Sequence, residues 1–211
     1  FSKALLITPD FVEAYYNMGT LRHGQGKLEE AIDAFSKAIS IKPDYAETYT
    51  NMGVTLQRQG KLGEAIEAYK KAISIKPDYA EAHDNSGIAF KEQGLLDDAI
   101  QAHKKAISLK PDYAEAYCNM GVALQGQDML EEAIKAHKRA ISIKPDYAEA
   151  YCSMGAVLQA QGKPDEAIEA YRKAISLKPN LAATWNNLFF PLQTIKLKLR
   201  SDQNITKFYP K

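Results

Sequence analysis

Cysteine is scarce in this chain, since only Cys118 and Cys152 occur among its 211 residues. Two cysteines cannot supply the framework of bridges that holds small secreted folds together. They stand at the same position of two neighbouring repeats described below, where stacked helices lie roughly 8–10 Å apart. A disulfide needs Cα atoms within about 7 Å of each other. We therefore expect two free thiols and a reducing compartment, the cytoplasm.

An excess of charge and long apolar runs are also missing. The formal net charge is +1, so the chain has no bulk attraction to nucleic acid or to an anionic membrane. No apolar run approaches the ~20 residues that span a bilayer, and we expect no signal peptide. These absences argue against a membrane protein and make nucleic-acid binding an unfavoured hypothesis.

Catalytic groupings are equally hard to find. No glycine-rich phosphate loop, carboxylate pair or Ser/His/Asp set stands out from the repeat. The histidines His83, His103 and His137 replace aromatic residues of the repeat, which favours a packing role over metal binding. We therefore expect no enzyme activity, no cofactor and no metal site.

What the sequence does contain is a repeat of 34 residues that occurs five times. A proline recurs every 34 residues, at Pro9, Pro43, Pro77, Pro111, Pro145 and Pro179. A glycine recurs with the same step, at Gly19, Gly53, Gly87, Gly121 and Gly155. A fixed period of this length predicts a stack of repeats that share a continuous core. The predicted repeats are residues 12–45, 46–79, 80–113, 114–147 and 148–181.

Numbering each repeat from 1 to 34 separates two helices. Apolar residues at positions 4, 7 and 11 predict an amphipathic helix A, and those at 20, 21, 24, 27 and 28 predict a helix B. Glycine at position 15 suits a left-handed end of helix A; in the fourth repeat Asp128 replaces it, at some conformational cost. Proline at position 32 ends helix B. Small residues at positions 8, 20 and 27 predict that the backbones of helices A and B approach closely there, while large residues at 4, 7, 11 and 24 fill the spaces between.

These residues resemble the tetratricopeptide repeat. The shared features are an aromatic residue or His at position 4, Gly at 8, Ala at 20 and 27, an aromatic residue at 24 and Pro at 32. The resemblance implies an all-α, right-handed superhelical solenoid of antiparallel helix pairs, whose A helices line a concave groove that binds protein or peptide. It also places residues 1–11 at the end of a preceding helix B. Residues 182–211 would then form a partial sixth helix A, a capping segment and a tail.

Position 6 of the A helices carries a column of asparagines, namely Asn17, Asn51, Asn85, Asn119 and Asn187. The column resembles the asparagine ladder in the repeat region of O-linked N-acetylglucosamine transferases, which grips the backbone of an extended peptide. A carboxamide both donates and accepts hydrogen bonds, so it pairs with a peptide whatever the peptide's side chains are. The alternative is that these asparagines only bridge neighbouring helices.

Positions 5, 9, 12 and 13 complete or rim the predicted groove. Position 9 supplies its floor, with Thr20, Val54, Ile88 and Val122. Position 5 varies most and is the candidate for selecting a ligand, with Tyr16, Thr50, Asp84, Cys118 and Cys152. For both positions the alternative is ordinary helix packing or sequence drift.

Glutamate occupies position 2 of every repeat, as in Glu47 and Glu115. Family members that clamp a C-terminal carboxylate need Lys there, so we expect a neutral to basic ligand and not a carboxylate. The alternative is that these glutamates pair across the repeat junctions with Lys42, Lys76, Lys110 and Lys144. Exposed pairs of that kind contribute ~0–1 kcal/mol each.

The sequence thus predicts a non-catalytic protein–protein interaction scaffold whose groove holds a peptide segment of a partner. Two alternatives remain open at this point. The chain is the substrate-recruiting arm of a larger glycosyl- or sulfotransferase, or it self-assembles through uncapped ends. The second alternative arises because a repeat stack without polar end repeats exposes its packing face.

Overall fold

A computed structural model of the protein describes residues 12–180. Within that range ten α-helices form five hairpins and no strand is present, which confirms the predicted all-α fold of helix pairs. The helices are α1 (Val12–Gly24), α2 (Leu28–Ile41), α3 (Ala46–Arg58), α4 (Leu62–Ile75), α5 (Ala80–Glu92), α6 (Leu96–Leu109), α7 (Ala114–Gly126), α8 (Leu130–Ile143), α9 (Ala148–Ala160) and α10 (Pro164–Leu177).

The described residues divide into two compact units. The first ends at Pro111 and contains α1–α6, and the second begins at Asp112 and contains α7–α10. Within the first unit each helix packs against the next, and the A helices α1, α3 and α5 also contact one another in sequence. The same holds in the second unit for the A helices α7 and α9. Side chains from successive A helices can therefore share one surface within each unit.

A left-handed residue closes each hairpin between helix A and helix B. Gly26, for example, has φ +74°, and the N–H of the following Lys27 donates to Arg22 O at 2.9 Å. Asp128 takes the same conformation, with φ 61°, and Met129 N–H donates to Leu124 O at 3.0 Å. The aspartate therefore keeps the turn as predicted, in a region that disfavours side chains with a Cβ.

The glycine at position 8 packs against the aromatic residue at position 24 of the same repeat. A Cβ atom added to Gly53 would lie 2.6 Å from Tyr69 Cε1, and one added to Gly19 would lie 2.5 Å from Phe35 Cε1. Glycine is therefore needed at position 8 because the ring of position 24 occupies the space of a side chain. The alanines at positions 20 and 27, such as Ala65, are fully buried beside the same ring.

The residue at position 24 is also tied to position 12 by a hydrogen bond where it is a tyrosine. Tyr69 O–H donates to Gln57 Oε1 at 3.0 Å, and Tyr171 O–H donates to Gln159 Oε1 at 3.3 Å. In the third and fourth repeats His103 and His137 fill the same position and are completely buried. The imidazole therefore replaces a ring inside the hairpin, as the sequence predicts.

Three of the position-2 glutamates form an ion pair within their own repeat. Lys76 Nζ lies 3.2 Å from Glu47 Oε1, and Lys144 Nζ lies 3.1 Å from Glu115 Oε1. Each pair joins the end of helix B to the start of helix A in the same repeat. For Lys76 and Lys144 the expected pairing across the junctions is wrong, because the antiparallel hairpin brings these two helix ends together.

Candidate functional site on the A helices

A cleft of about 320 Å³ lies on the A helices of the first unit. Helix α3 contributes positions 9, 12 and 13 of the second repeat, and α5 contributes positions 6, 9 and 13 of the third. The lining residues are Val54, Gln57, Arg58, Asn85, Ile88 and Glu92. Its size falls at the lower end of the range of ligand pockets. The structure thus brings Asn85 together with two of the predicted floor residues.

Asn85 is the asparagine of the column that lies open in this cleft. It is half-buried, and its amide forms no hydrogen bond with another residue in the range 12–180. Val54 and Ile88 flank it as half-buried aliphatic groups. An amide beside a small apolar surface is an arrangement that can hold a peptide backbone while a side chain enters the cleft.

Asn51 has a different environment one repeat earlier. Its Nδ2–H donates to Tyr16 Oη at 2.9 Å, which uses one of its two N–H donors. Tyr16 is held by aromatic neighbours, with its ring centroid 5.3 Å from that of Tyr45 and 6.2 Å from that of Phe35. The alternative of an asparagine that bridges neighbouring helices therefore describes Asn51.

The other members of the column are more scattered. Asn17 is exposed on α1, and Asn119 is half-buried on α7 in the second unit. Asn187 lies outside the described residues. Among the remaining floor residues, Thr20 is exposed and donates its hydroxyl to Tyr16 O at 3.1 Å. Val122 is half-buried on α7.

Position 5 lies largely beneath the surface. Thr50 and Asp84 are each 3% exposed and Cys118 is 5% exposed, whereas Tyr16 and Cys152 are half-buried. The predicted place of Thr50, Asp84 and Cys118 on the groove surface is therefore wrong. The physical reason is that position 5 turns toward helix B of its own repeat, where Asp84 Oδ1 lies 2.7 Å from His103 Nδ1.

Cys118 shows what position 5 does instead. Burial raises the pKa of its thiol to about 11, against a smaller lowering by the neighbouring side chains of Tyr147 and Ser153. Cys118 and Cys152 are both free, as predicted. Ser153 is position 6 of the fifth repeat, so Cys118–Ser153 repeats the contact between Tyr16 and Asn51. In these two places position 5 therefore lies next to position 6 of the following repeat, whereas Thr50 bonds to its own helix.

Three cleft residues were not named from the sequence, although positions 12 and 13 were placed at the groove. Gln57 Nε2–H donates to Glu92 Oε2 at 2.9 Å, while Gln57 Oε1 accepts from Tyr69. Burial, followed by the charge of Glu92, raises the pKa of Tyr69. Arg58 Nη1–H donates to His23 O at 3.2 Å. A polar residue at position 12 facing a position-13 acid one repeat later was the signal available.

His23 extends this polar rim toward α1. Its Nδ1 lies 2.9 Å from Thr55 Oγ1, and the Thr55 hydroxyl donates to Asn51 O at 2.7 Å. Because a hydroxyl has one proton, Nδ1–H is the donor in the first of these bonds. Burial and then the charge of Arg58 lower the pKa of His23. The ring is thus neutral near pH 7 and continues the surface without adding charge.

The model of the family described as "Tetratricopeptide repeat" matches residues 10–78 and 112–180. A second description, "TPR repeat", matches residues 87–128. Because the matched segments cover more than half of the chain, the protein belongs to the tetratricopeptide repeat family. A comparison with curated proteins found no match. Family membership supports a role as a protein-interaction scaffold.

Solved structures of repeat proteins resemble this chain along most of its length. The MamA protein is 31% identical, with a TM-score of 0.68 over 81% of this chain and 93% of that one. YrrB, described as a TPR protein with an unusual peptide-binding site, is 21% identical, with a TM-score of 0.66 over 88% and 95%. PilF of Pseudomonas aeruginosa is 19% identical, with a TM-score of 0.78 over 94% and 92%. The last two support the fold alone.

None of the helices between residues 12 and 180 is long and apolar enough to cross a bilayer. In the same range no three His, Cys, Asp or Glu side chains come together in a way that could hold a metal ion.

Proposed function

We propose that this protein is a non-catalytic scaffold that binds an extended peptide segment of a partner on its A helices. The cleft between α3 and α5 is the centre of the proposed site. The observation that carries the proposal is the amide of Asn85, which lies in that cleft beside Val54 and Ile88 and has no hydrogen-bond partner among residues 12–180. YrrB, by its description, shows that a related fold can carry a peptide-binding site.

The chemistry of the cleft suggests how the peptide is held. Asn85 can accept a peptide N–H and donate to a peptide C=O, while Val54 and Ile88 bury one small apolar side chain. Gln57 is held by Tyr69 on one side and Glu92 on the other. A residue fixed in this way loses little conformational freedom on binding, which favours affinity.

The charges near the cleft favour a neutral to basic segment over a C-terminal carboxylate. Arg58 already donates to a backbone carbonyl of α1, and Glu92 is the acid of the cleft. The position-2 glutamates Glu47, Glu115 and Glu149 are partly neutralised by their lysine partners. The described part of this surface therefore has no cluster of cationic side chains that could bind a carboxylate.

The test is a selection from a displayed library of random peptides against the whole chain, followed by binding measurements with labelled peptides. Asn85→Ala and Ile88→Ala should each weaken the selected peptides by about tenfold or more, as for central residues of an interface. Gln101→Ala, at an exposed site on helix α6, is the matched control and should leave affinity unchanged. Equal affinity of all four proteins would overturn the proposed site.

A further inference from the structure

A second and larger cleft lies between α3 and α4. It uses other residues of α3 than the cleft at Asn85 does. Its volume is about 600 Å³, and it shares no residue with the cleft at Asn85. Apolar residues at positions 4, 7, 11 and 23 form most of its surface, with charged residues of α4 at the rim. The lining residues are Tyr49, Met52, Leu56, Gly63, Glu64, Glu67, Ala68 and Lys71.

The fifth repeat has an equivalent cleft in the second unit, with a volume of about 310 Å³. Tyr151, Met154 and Leu158 take the places of Tyr49, Met52 and Leu56. Glutamates at positions 19 and 22, alanine at 23 and lysine at 26 are also the same in both clefts. The two clefts are therefore two copies of one structure, and the differences between them are informative.

The smaller cleft contains a lysine of the preceding B helix, and the larger one does not. Lys138 of α8 lines the cleft of the fifth repeat. The equivalent residue before the second repeat is Ser36 of α2, which donates its hydroxyl to Ile32 O at 2.8 Å. At position 18, Gly63 takes the place of Asp165. A short side chain thus stands at the position that Lys138 has before the fifth repeat, and the cleft of the second repeat is about twice as large.

The charges of the two clefts differ in the same direction. Two glutamates and two lysines line the fifth-repeat cleft, for a formal charge of −2 + 2 = 0. Two glutamates and one lysine line the larger cleft, for −2 + 1 = −1. Lys70 Nζ lies 2.8 Å from Glu67 Oε1, so Glu64 is the glutamate of this cleft that has no ion pair among residues 12–180.

The half-buried ring of Tyr49 also differs from its equivalents in the cation that lies over it. In the first and fourth repeats the cation at position 26 lies over the tyrosine at position 4, with Lys37 Nζ 5.9 Å from the Tyr15 centroid and Arg139 Cζ 5.9 Å from that of Tyr117. No Lys or Arg of residues 12–180 takes that place over Tyr49. An open aromatic face beside carboxylates is a favourable surface for a cationic side chain.

We propose that this cleft binds a lysine or arginine side chain of a partner protein, in the place that Lys138 has in the fifth repeat. The aliphatic stem of the side chain packs on Met52 and Leu56, and its charged head lies between Tyr49 and Glu64 of α4. The site is separate from the peptide cleft, so either proposal can fail without the other.

The experiment uses the whole chain with 13C-labelled methionine methyl groups and follows their NMR signals. The probe is N-acetyl-arginine amide, and its uncharged isostere N-acetyl-citrulline amide is the ligand control. The Met52 signal should shift with the arginine probe and saturate at about millimolar concentrations. The citrulline probe should produce at most a tenth of that response at equal concentration.

Substitutions at position 25 of the preceding B helix should give each cleft the property of the other. Ser36→Lys should fill the larger cleft and weaken the Met52 response by about tenfold or more. Ser40→Lys, which adds the same charge at an exposed site of α2 outside the cleft, should leave it unchanged. Lys138→Ser should create a response at Met154. Circular dichroism checks that each variant is folded.

Three results would overturn the proposal. These are a Met52 signal that does not move with the arginine probe, an equal response to arginine and citrulline, and a response that survives Ser36→Lys. A Met52 shift that depends on protein concentration alone would replace the partner with a second copy of this chain.

Discussion

The third and fourth repeats each bury a histidine at position 24, but the two imidazoles have different polar neighbours. In the third repeat His103 Nδ1–H donates to Asp84 Oδ1 at 2.7 Å, and its Nε2 has no partner among the described residues. In the fourth repeat His137 has no partner for either ring nitrogen within that range, and position 5 is Cys118. Both rings are completely buried.

The comparison shows that burial and polarity are set by different positions. The glycine at position 8 and the alanines at 20 and 27 decide that a flat ring is buried. The residue at position 5 decides whether that ring has a hydrogen-bond partner. Without a carboxylate beside it, burial lowers the pKa of His137 to about 4. The predictions below test this difference, beginning with the largest expected effect.

Removing each imidazole should separate the two repeats most clearly. His103→Leu leaves the buried carboxylate of Asp84 without its imidazole partner, and we expect it to reduce the free energy of unfolding by about 3 kcal/mol. His137→Leu removes two unpartnered buried nitrogens and should cost less than about 1 kcal/mol. Urea unfolding of both variants measures the difference. Equal losses would contradict the assigned role of Asp84.

The stability of the protein should depend on pH through His137. The pKa of its imidazole is about 4 in the folded protein and about 6.5 in an unfolded chain. The unfolded state therefore binds this proton first, so stability is complete above pH 6.5 and falls as the pH drops toward 4. The expected loss is about 3 kcal/mol.

His137→Tyr is the control for this pH dependence. A tyrosine fits the equivalent site in the fifth repeat, where Tyr171 donates to Gln159, and Gln125 stands at the same position in the fourth repeat. Between pH 6.5 and pH 4 the wild type should lose about 3 kcal/mol more free energy of unfolding than His137→Tyr. Parallel pH profiles of wild type and variant would rule out His137 as the titrating group.

A methyl group at position 8 should probe how firmly each ring is held. A Cβ at Gly87 or at Gly121 would lie 2.6 Å from Cε1 of His103 or His137. Either alanine overpacks the hairpin at a cost of about 1–3 kcal/mol. Gly87→Ala should cost more, because moving His103 also disturbs its bond to Asp84. Thermal unfolding ranks the two variants, and the reverse order would be evidence that the bond to Asp84 does not hold the ring.

The hairpin turns provide the smallest test. Gly94 closes the third repeat with φ +80°, and Asp128 closes the fourth with φ 61°. Asp128→Gly should stabilise the protein by about 1 kcal/mol and Gly94→Asp should destabilise it by a similar amount. A change of the same sign in both variants would show that the left-handed conformation is not what limits these turns.

The candidate site was only partly predictable, as three of its residues show. The 34-residue period predicted that Val54 of α3 and Asn85 and Ile88 of α5 lie on the same face of the A helices. The structure puts all three in one cleft. The same reasoning put Asp84 on the surface, but it is buried against His103. The periodicity of a helix predicts the face on which a residue lies, but with an error of about one residue. Position 5 lies at the boundary between the groove face and the face that packs inside the hairpin.

The amino-acid sequence by itself determined the helix hairpins, because their signals are local. Periodic apolar residues, a left-handed glycine and a proline each act within a few residues along the chain. Only the tertiary structure decided that Asn51 has a hydrogen-bond partner within residues 12–180 and that Asn85 has none. Tyr16 is long enough to reach Asn51 in the next repeat, whereas the equivalent Thr50 is short and bonds to Ala46 O of its own helix. Asn85 is left open because the reach of a side chain across a packed interface depends on its neighbour's position in space.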